Sequence, residues 1–165
     1  MKTSGLLLLF LIAGCSGQPP REVILEEKIT ETANSSEWPR LLSEVGLFTS
    51  PLRSLNPAAD VFSYSINAPL FSDYSIKKRF IRLPKGKKAI YHPTETLDFP
   101  EGTILVKNFL YPADLRRPDQ DQRILETRLM VKQADGWKTL PYVWNEKQTD
   151  AELTVAGRRL GSFLA

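Results

Sequence analysis

The strongest constraint on the fold is a pair of alternating apolar and polar stretches within residues 123–150, which meet at Asp135-Gly136. Asp-Gly between two such stretches is a strong hairpin signal, because both residues accept the backbone conformations of a two-residue turn. With this turn, one apolar face is formed by Leu125 and three facing pairs, which are Val131 with Leu140, Leu129 with Tyr142, and Thr127 with Trp144. The pattern predicts a long antiparallel hairpin with one buried face.

The remaining chain offers several short strand candidates and little helix. Residues 103–111 are apolar on both faces, which is typical of a central strand, and residues 62–66, 77–83 and 88–92 are shorter candidates. One short amphipathic helix is predicted between Ser36 as its N-cap and Gly46 as its end. We therefore predict an all-β fold, an antiparallel sandwich or jelly roll with one short N-terminal helix.

The first residues have the features of an export signal. Lys2 precedes an apolar stretch, residues 6–12, that is too short to cross a bilayer as a helix. The stretch ends in Leu11-Ile-Ala-Gly-Cys15, which resembles a bacterial lipobox. The resemblance implies cleavage before Cys15 and acylation there, and two or more acyl chains anchor a protein stably to a membrane. Ser16 after the cysteine favours the outer membrane of the bacterial envelope, facing the periplasm.

This signal divides the chain into three parts. Residues 1–14 are expected to be a lipoprotein signal peptide, residues 15–36 a polar flexible tether, and residues 37–165 the β-domain. Because Cys15 is the single cysteine, the β-domain has no disulfide and no thiolate metal site.

Composition and motifs exclude several functions. The net charge of +3 is mild and the basic residues are dispersed, so nucleic-acid binding is not predicted. His92, the single histidine, has no cluster of acids or cysteines beside it, and no metal site is predicted. No phosphate-binding loop and no Ser/His/Asp set is recognisable, so the residues do not indicate an enzyme.

The polar residues allow two interpretations. A cluster of Asp73, Lys107, Glu126, Arg128 and Asn145 is the candidate site, and an ion-pair network is the favoured interpretation of it. The alternative is a carbohydrate-binding or glycoside-hydrolysing site, because paired carboxylates such as Glu126 and Glu146 cleave glycosides and exposed Trp rings pack on sugars. The hairpin pattern places Tyr142 and Trp144 inside, which favours the first interpretation.

Several motifs occur together in one order. They are Asn67-Ala-Pro-Leu-Phe-Ser-Asp-Tyr74, Lys78-Arg-Phe-Ile-Arg-Leu-Pro84, Phe99-Pro-x-Gly-Thr-x-Leu-Val-Lys107, Glu126-Thr-Arg-Leu129 and Leu140-Pro-Tyr-Val-Trp-Asn-Glu-x-Gln-Thr-Asp-Ala151. Residues 41–157, which contain them, resemble the amino-terminal domain of a family of exported bacterial diheme c-type cytochromes. The resemblance implies an accessory β-domain associated with electron transfer.

The chain departs from that family in one respect. It lacks the Cys-x-x-Cys-His motif that attaches haem c, so no haem-binding residue carries over and no cofactor is expected in this chain. Haem c is expected only in a missing C-terminal region or in a partner. The ending Gly161-Ser-Phe-Leu-Ala165 has no helix stop and no charged tail, which favours truncation. The resulting hypothesis is a non-catalytic lipoprotein domain that serves a c-type cytochrome or another redox protein, with residues 112–122 as a candidate contact loop.

Overall fold

Six antiparallel strands follow one another in chain order across one sheet in the computed structural model, which describes residues 38–71 and 73–154. The strands are β1 (Val61–Tyr64), β2 (Ile76–Arg82), β3 (Ile104–Pro112), β4 (Gln122–Gln133), β5 (Gly136–Trp144) and β6 (Ala151–Leu153). The prediction of an all-β domain is confirmed. The predicted strand at residues 88–92 is reduced to a single bridge between Ile90 and Asp98.

The predicted N-terminal helix is shorter than expected. Within the described residues of the predicted stretch, the helical part is a single 3₁₀ turn, Leu42–Val45, which ends at Gly46 (φ 70°), as the sequence indicates. Leu41 before it is extended, and the backbone here bonds to the last strand of the sheet, where the Leu153 amide donates to the Arg40 carbonyl and Leu41 bridges to Glu152. Within the described residues, no helix has the length and apolar character to cross a bilayer.

An irregular segment, residues 41–58, covers the inner face of the sheet. Its buried residues Leu42, Leu47 and Leu55 belong to the same core as the inward-facing strand residues. The Phe48 and Phe80 rings meet edge to face with centroids 5.0 Å apart, an arrangement favoured by the ring quadrupoles. The segment buries one face of the sheet, and the opposite face, which we call the outer face, carries the remaining side chains of each strand.

A chain of hydrogen bonds crosses four strands inside the core. Trp144 Nε1 donates to Thr127 Oγ1 (2.9 Å), Thr127 Oγ1 donates to Asn108 Oδ1 (2.6 Å), and Asn108 Nδ2 donates to the Lys78 carbonyl (3.3 Å). Asn108 and Thr127 are fully buried, so each polar group here needs its partner. In the described part of the chain, every buried side-chain nitrogen and oxygen has a hydrogen-bond partner.

The hairpin register differs from the predicted one by two residues. The turn residues are Ala134 and Asp135, and Gly136 opens β5 with φ 144°, a conformation that favours glycine. Leu129 therefore faces Leu140, and Thr127 faces Tyr142. Because side chains alternate with a period of two, this shift leaves the same residues on the inner face.

A bulge in β4 corrects one further core assignment. Phe109 pairs with Glu126 but Leu110 pairs with Ile124, so Leu125 is the extra residue. The bulge turns Ile124 into the core (2% exposed) and leaves Leu125 only partly buried. The apolar face of the hairpin therefore contains Ile124 instead of the predicted Leu125.

The polar run that follows β5 has a structural role. Gln148, with φ 55°, accepts from the Ile124 amide and donates to the Ile124 carbonyl through its side-chain amide. Asp150 accepts from both the backbone amide and the hydroxyl of Ser43. This run therefore fastens β4 and the 3₁₀ turn to the end of β5.

We expect Thr127→Val to destabilise the fold by about 1–3 kcal/mol, because Trp144 Nε1 and Asn108 Oδ1 would both lose a buried partner. Urea unfolding followed by Trp fluorescence measures the change. Thr127→Ser keeps the hydroxyl and should cost less. Equal losses for the two variants would contradict a role for the hydrogen bonds.

Alkaline pH should weaken the fold through Tyr142. Burial, reinforced by the Glu44 carboxylate, raises the pKa of Tyr142 to about 12, and its hydroxyl donates to the Pro39 carbonyl (2.9 Å). The unfolded chain has a Tyr pKa of about 10. The folded state therefore holds a proton that the unfolded state releases, and stability should fall as pH rises from about 10 to about 12. Thermal unfolding of Tyr142→Phe should show a shallower fall over this pH window, and an unchanged slope would contradict the assignment.

Candidate functional site

Three cations face one another across the outer face. Arg79 on β2 pairs with Lys107 on β3, and Lys107 pairs with Arg128 on β4. We call these three residues the cationic row. Tyr64 on β1 continues the row at one end and Pro141 on β5 at the other.

The core determines this alignment. On the inner face, the buried residues Phe80, Val106, Leu129 and Leu140 pair in one cross-strand row. Each member of the cationic row is the immediate chain neighbour of one of these core residues. Because successive side chains point to opposite faces, burying the apolar row brings the three cations together on the outer face.

The cationic row is a source of electrostatic repulsion. Like charges directly opposite each other in a sheet are destabilising. Desolvation lowers the pKa of Lys107, and Arg79, Arg128 and Lys77 lower it further, while Glu126 opposes them. The fold therefore holds cations together at a cost in stability.

Glu126 and Phe109 offset part of this repulsion. Arg128 Nε donates to Glu126 Oε1 at 2.7 Å, an ion pair within one strand. The Phe109 ring lies 4.8 Å from Lys107 Nζ and 5.2 Å from Arg128 Cζ, which are cation–π distances. Lys77 lies in the row next to the cationic row and brings the number of cations on this part of β2–β4 to four. Glu126 supplies the one carboxylate there.

The predicted polar cluster is divided by the structure. Lys107, Glu126 and Arg128 lie in adjacent rows of the outer face. Asp73 lies in the turn before β2, where its carbonyl accepts from the Tyr111 hydroxyl. Asn145 bonds Thr149 through both its side-chain atoms and so closes the turn after β5. The lipidation candidate Cys15 lies outside the described residues.

The sequence-based prediction of the polar cluster missed Arg79, a member of the cationic row, and Lys77 in the neighbouring row. The signal for them was the alternation of residues 76–82, in which the basic residues at 77 and 79 share a face opposite Phe80. Without the register between β2 and β3, nothing in the sequence places Arg79 opposite Lys107. The missing information is long-range strand pairing.

The other candidate chemistries lack a matching arrangement. His92 lines an open groove with Glu95 and Asp98, yet no group of three His, Cys, Asp or Glu among the described residues is placed to hold a metal ion. Trp144 is 4% exposed and Tyr142 fully buried, so neither ring offers a face to a ligand. Trp137 is 37% exposed and packs edge to face on Phe99.

The arginine and lysine side chains of the cationic row can bind anions. No family model, no curated protein and no solved structure matches the chain. The function must therefore be inferred from the chemistry of this surface together with the sequence resemblance.

Removing the central charge of the row should stabilise the protein. We expect Lys107→Gln to raise the free energy of unfolding by about 0.5 kcal/mol at low ionic strength, since it relieves repulsion from both neighbours. In 1 M salt, where the screening length falls to about 3 Å, the gain should shrink. The matched control is Lys85→Gln in the exposed turn before β3. A destabilised Lys107→Gln variant would contradict the cost assigned to the row.

Proposed function

We propose that the chain is a membrane-anchored lipoprotein of the bacterial envelope whose β-domain is a non-catalytic binding module. In this proposal the domain serves electron transfer by associating with a c-type cytochrome or another redox protein. The anchor is the lipid on Cys15, and the expected location is the outer membrane facing the periplasm. This chain itself carries no haem-attachment motif.

The observation that carries the binding role is the cationic row. Arg79, Lys107 and Arg128 face one another on adjacent strands, although any of these positions could hold a neutral residue without disturbing the core. A surface that loses stability by concentrating charge is explained by a partner of opposite charge, which removes the repulsion when it binds. Charge complementarity of this kind is suited to redox partners that associate and dissociate rapidly.

Two observations weigh against the carbohydrate alternative. That hypothesis relies on Glu126, Glu146 and the Trp residues, and it needs a groove that holds exposed aromatic rings or two carboxylates. Trp144 is buried and donates to Thr127, and Glu126 is engaged by Arg128 at 2.7 Å. The non-catalytic interpretation is therefore the better supported.

The candidate contact loop is less suitable than the sheet face. In the loop between β3 and β4, the Asp114 carboxylate accepts from Arg116 and lies 3.5 Å from Arg117. Side-chain and backbone hydrogen bonds from Arg116, and then the Arg117 side chain, lower the pKa of Asp114 despite partial desolvation. These charges pair with one another within the loop, whereas the cationic row has only the Glu126 carboxylate beside its three cations. The sheet face is accordingly the better candidate for the partner surface.

The proposal is tested in two steps in bacteria. The full chain should incorporate radiolabelled palmitate in a host that processes lipoproteins, and Cys15→Ala should abolish the label. Affinity purification of the tagged full chain from the source bacterium should then retain a protein that stains for covalent haem.

Either step can contradict the proposal. Palmitate labelling that persists in Cys15→Ala would refute the anchor. Haem staining no stronger than that retained by an unrelated tagged lipoprotein would refute the association with a cytochrome.

A further inference from the structure

Next to the cationic row lies a groove with exposed apolar walls. An open groove of about 480 Å³ is lined by the apolar residues Leu70, Phe71 and Tyr74 and by the basic residues Lys77 and Arg79, among others. Arg79 thus belongs both to the groove and to the cationic row. The two features form one continuous surface.

The apolar side of the groove is unusually exposed. Leu70 is 82% exposed, Phe71 68% and Tyr74 66%. The Phe71 and Tyr74 rings meet edge to face with centroids 5.1 Å apart, so they hold each other in place while remaining open to water. We call Leu70, Phe71 and Tyr74 the apolar cluster. Contiguous exposed apolar residues beside polar ones are typical of protein interaction sites.

We propose that this surface binds an acidic polypeptide segment that carries an apolar side chain. Carboxylates of the segment pair with Arg79, Lys107 and Arg128, and the apolar side chain packs into the groove against the apolar cluster. The inference rests on the proposed function in taking the domain as a binding module, and it adds the chemistry of the partner.

The shape of the cationic side favours carboxylates. Arg79 and Lys107 are half-buried in the sheet surface, and desolvation lowers the pKa of Lys107. Arginine presents a planar fork of N–H groups that matches a carboxylate in a bidentate arrangement. Two arginines that flank a lysine at the spacing of adjacent strands, about 5 Å each, can therefore take carboxylates presented along an extended segment.

The acidic residues on the same surface disfavour a membrane or a nucleic acid as the occupant. Glu126 lies in the row next to the cationic row, and the exposed Asp73 lies beside the apolar cluster. A lipid surface or a phosphate backbone presents a dense and continuous negative charge that would meet both carboxylates. A polypeptide presents separate carboxylates and can place neutral residues opposite Glu126 and Asp73.

The test is fluorescence anisotropy with defined probes and the purified full chain in neutral detergent. The probe is a labelled 12-residue peptide of Glu and Asp with one central Phe. Its two counterparts replace the acids by Gln and Asn, or the Phe by Ser. We expect the acidic Phe peptide to bind, the neutral peptide to lose binding at least tenfold, and the Ser peptide to bind several-fold more weakly.

Three variants locate the binding. Lys107→Glu should weaken binding of the acidic Phe peptide at least tenfold. We expect this variant to fold, because a glutamate at position 107 would face Arg79 and Arg128. Lys85→Glu makes the same charge change in an exposed turn and should alter binding less than twofold. Phe71→Ala should weaken binding of the Phe peptide about fivefold and leave binding of the Ser peptide unchanged, because the Ser peptide lacks the apolar side chain that contacts the ring. The variant should fold, because the Phe71 ring is exposed.

The other outcomes overturn the proposal. Equal effects of Lys107→Glu and Lys85→Glu would show that binding is non-specific, and failure of the acidic Phe peptide to bind would remove the partner chemistry. Binding of an oligo-dT 20-mer through Lys107, or complete competition by phosphatidylglycerol added to the detergent, would assign the surface to nucleic acid or lipid instead.

The proposed function is tested separately. Palmitate labelling at Cys15 and retention of a haem protein do not depend on the peptide result. If both succeed while the peptide does not bind, only the docking inference fails. If the peptide binds as expected and no haem protein is retained, the cytochrome association fails while the docking surface stands.

Discussion

The hydrogen-bond chain from Trp144 through Thr127 and Asn108 to the Lys78 carbonyl determines how four strands align. Each buried polar side-chain group in it has a hydrogen-bond partner in this register. A slip of one residue would turn Asn108 and Thr127 to the outer face and leave Trp144 Nε1 unpaired inside. The polar chain thus specifies a register that hydrophobic burial alone would define less sharply, since apolar side chains tolerate several packings.

The same register creates the candidate binding surface. On β2, β3 and β4, one residue lies between the hydrogen-bond chain and the apolar row, and its side chain points to the outer face. These residues are Arg79, Lys107 and Arg128. The cations come from segments far apart in the chain, so their convergence is a consequence of the fold. One face of the sheet thus stabilises the protein, and the other concentrates positive charge that an acidic partner can neutralise.

Alternation and turn chemistry were sufficient to predict the all-β class, the inner location of Tyr142 and Trp144, and the end of the 3₁₀ turn at Gly46. They did not give the hairpin register. Asp135-Gly136 can form both turn residues, as predicted, or Asp135 can end the turn and Gly136 can begin the next strand, as observed. The bulge at Leu125 and the bonding of Arg40 and Leu41 to β6 depend on contacts between distant parts of the chain, which local propensity does not encode. Three of the five predicted cluster residues lie in adjacent rows, and Arg79 could be added only when the β2–β3 pairing was known.

The most direct measurement is an NMR titration that follows the side-chain Nε–Hε signals of the arginines as the acidic Phe peptide is added. We expect the signals of Arg79 and Arg128 to shift together and to saturate. The signals of Arg116 and Arg117, which pair with Asp114 in the loop after β3, should stay in place. Shifts confined to Arg116 and Arg117, or spread equally over all arginines, would contradict a binding surface on the outer face of the sheet.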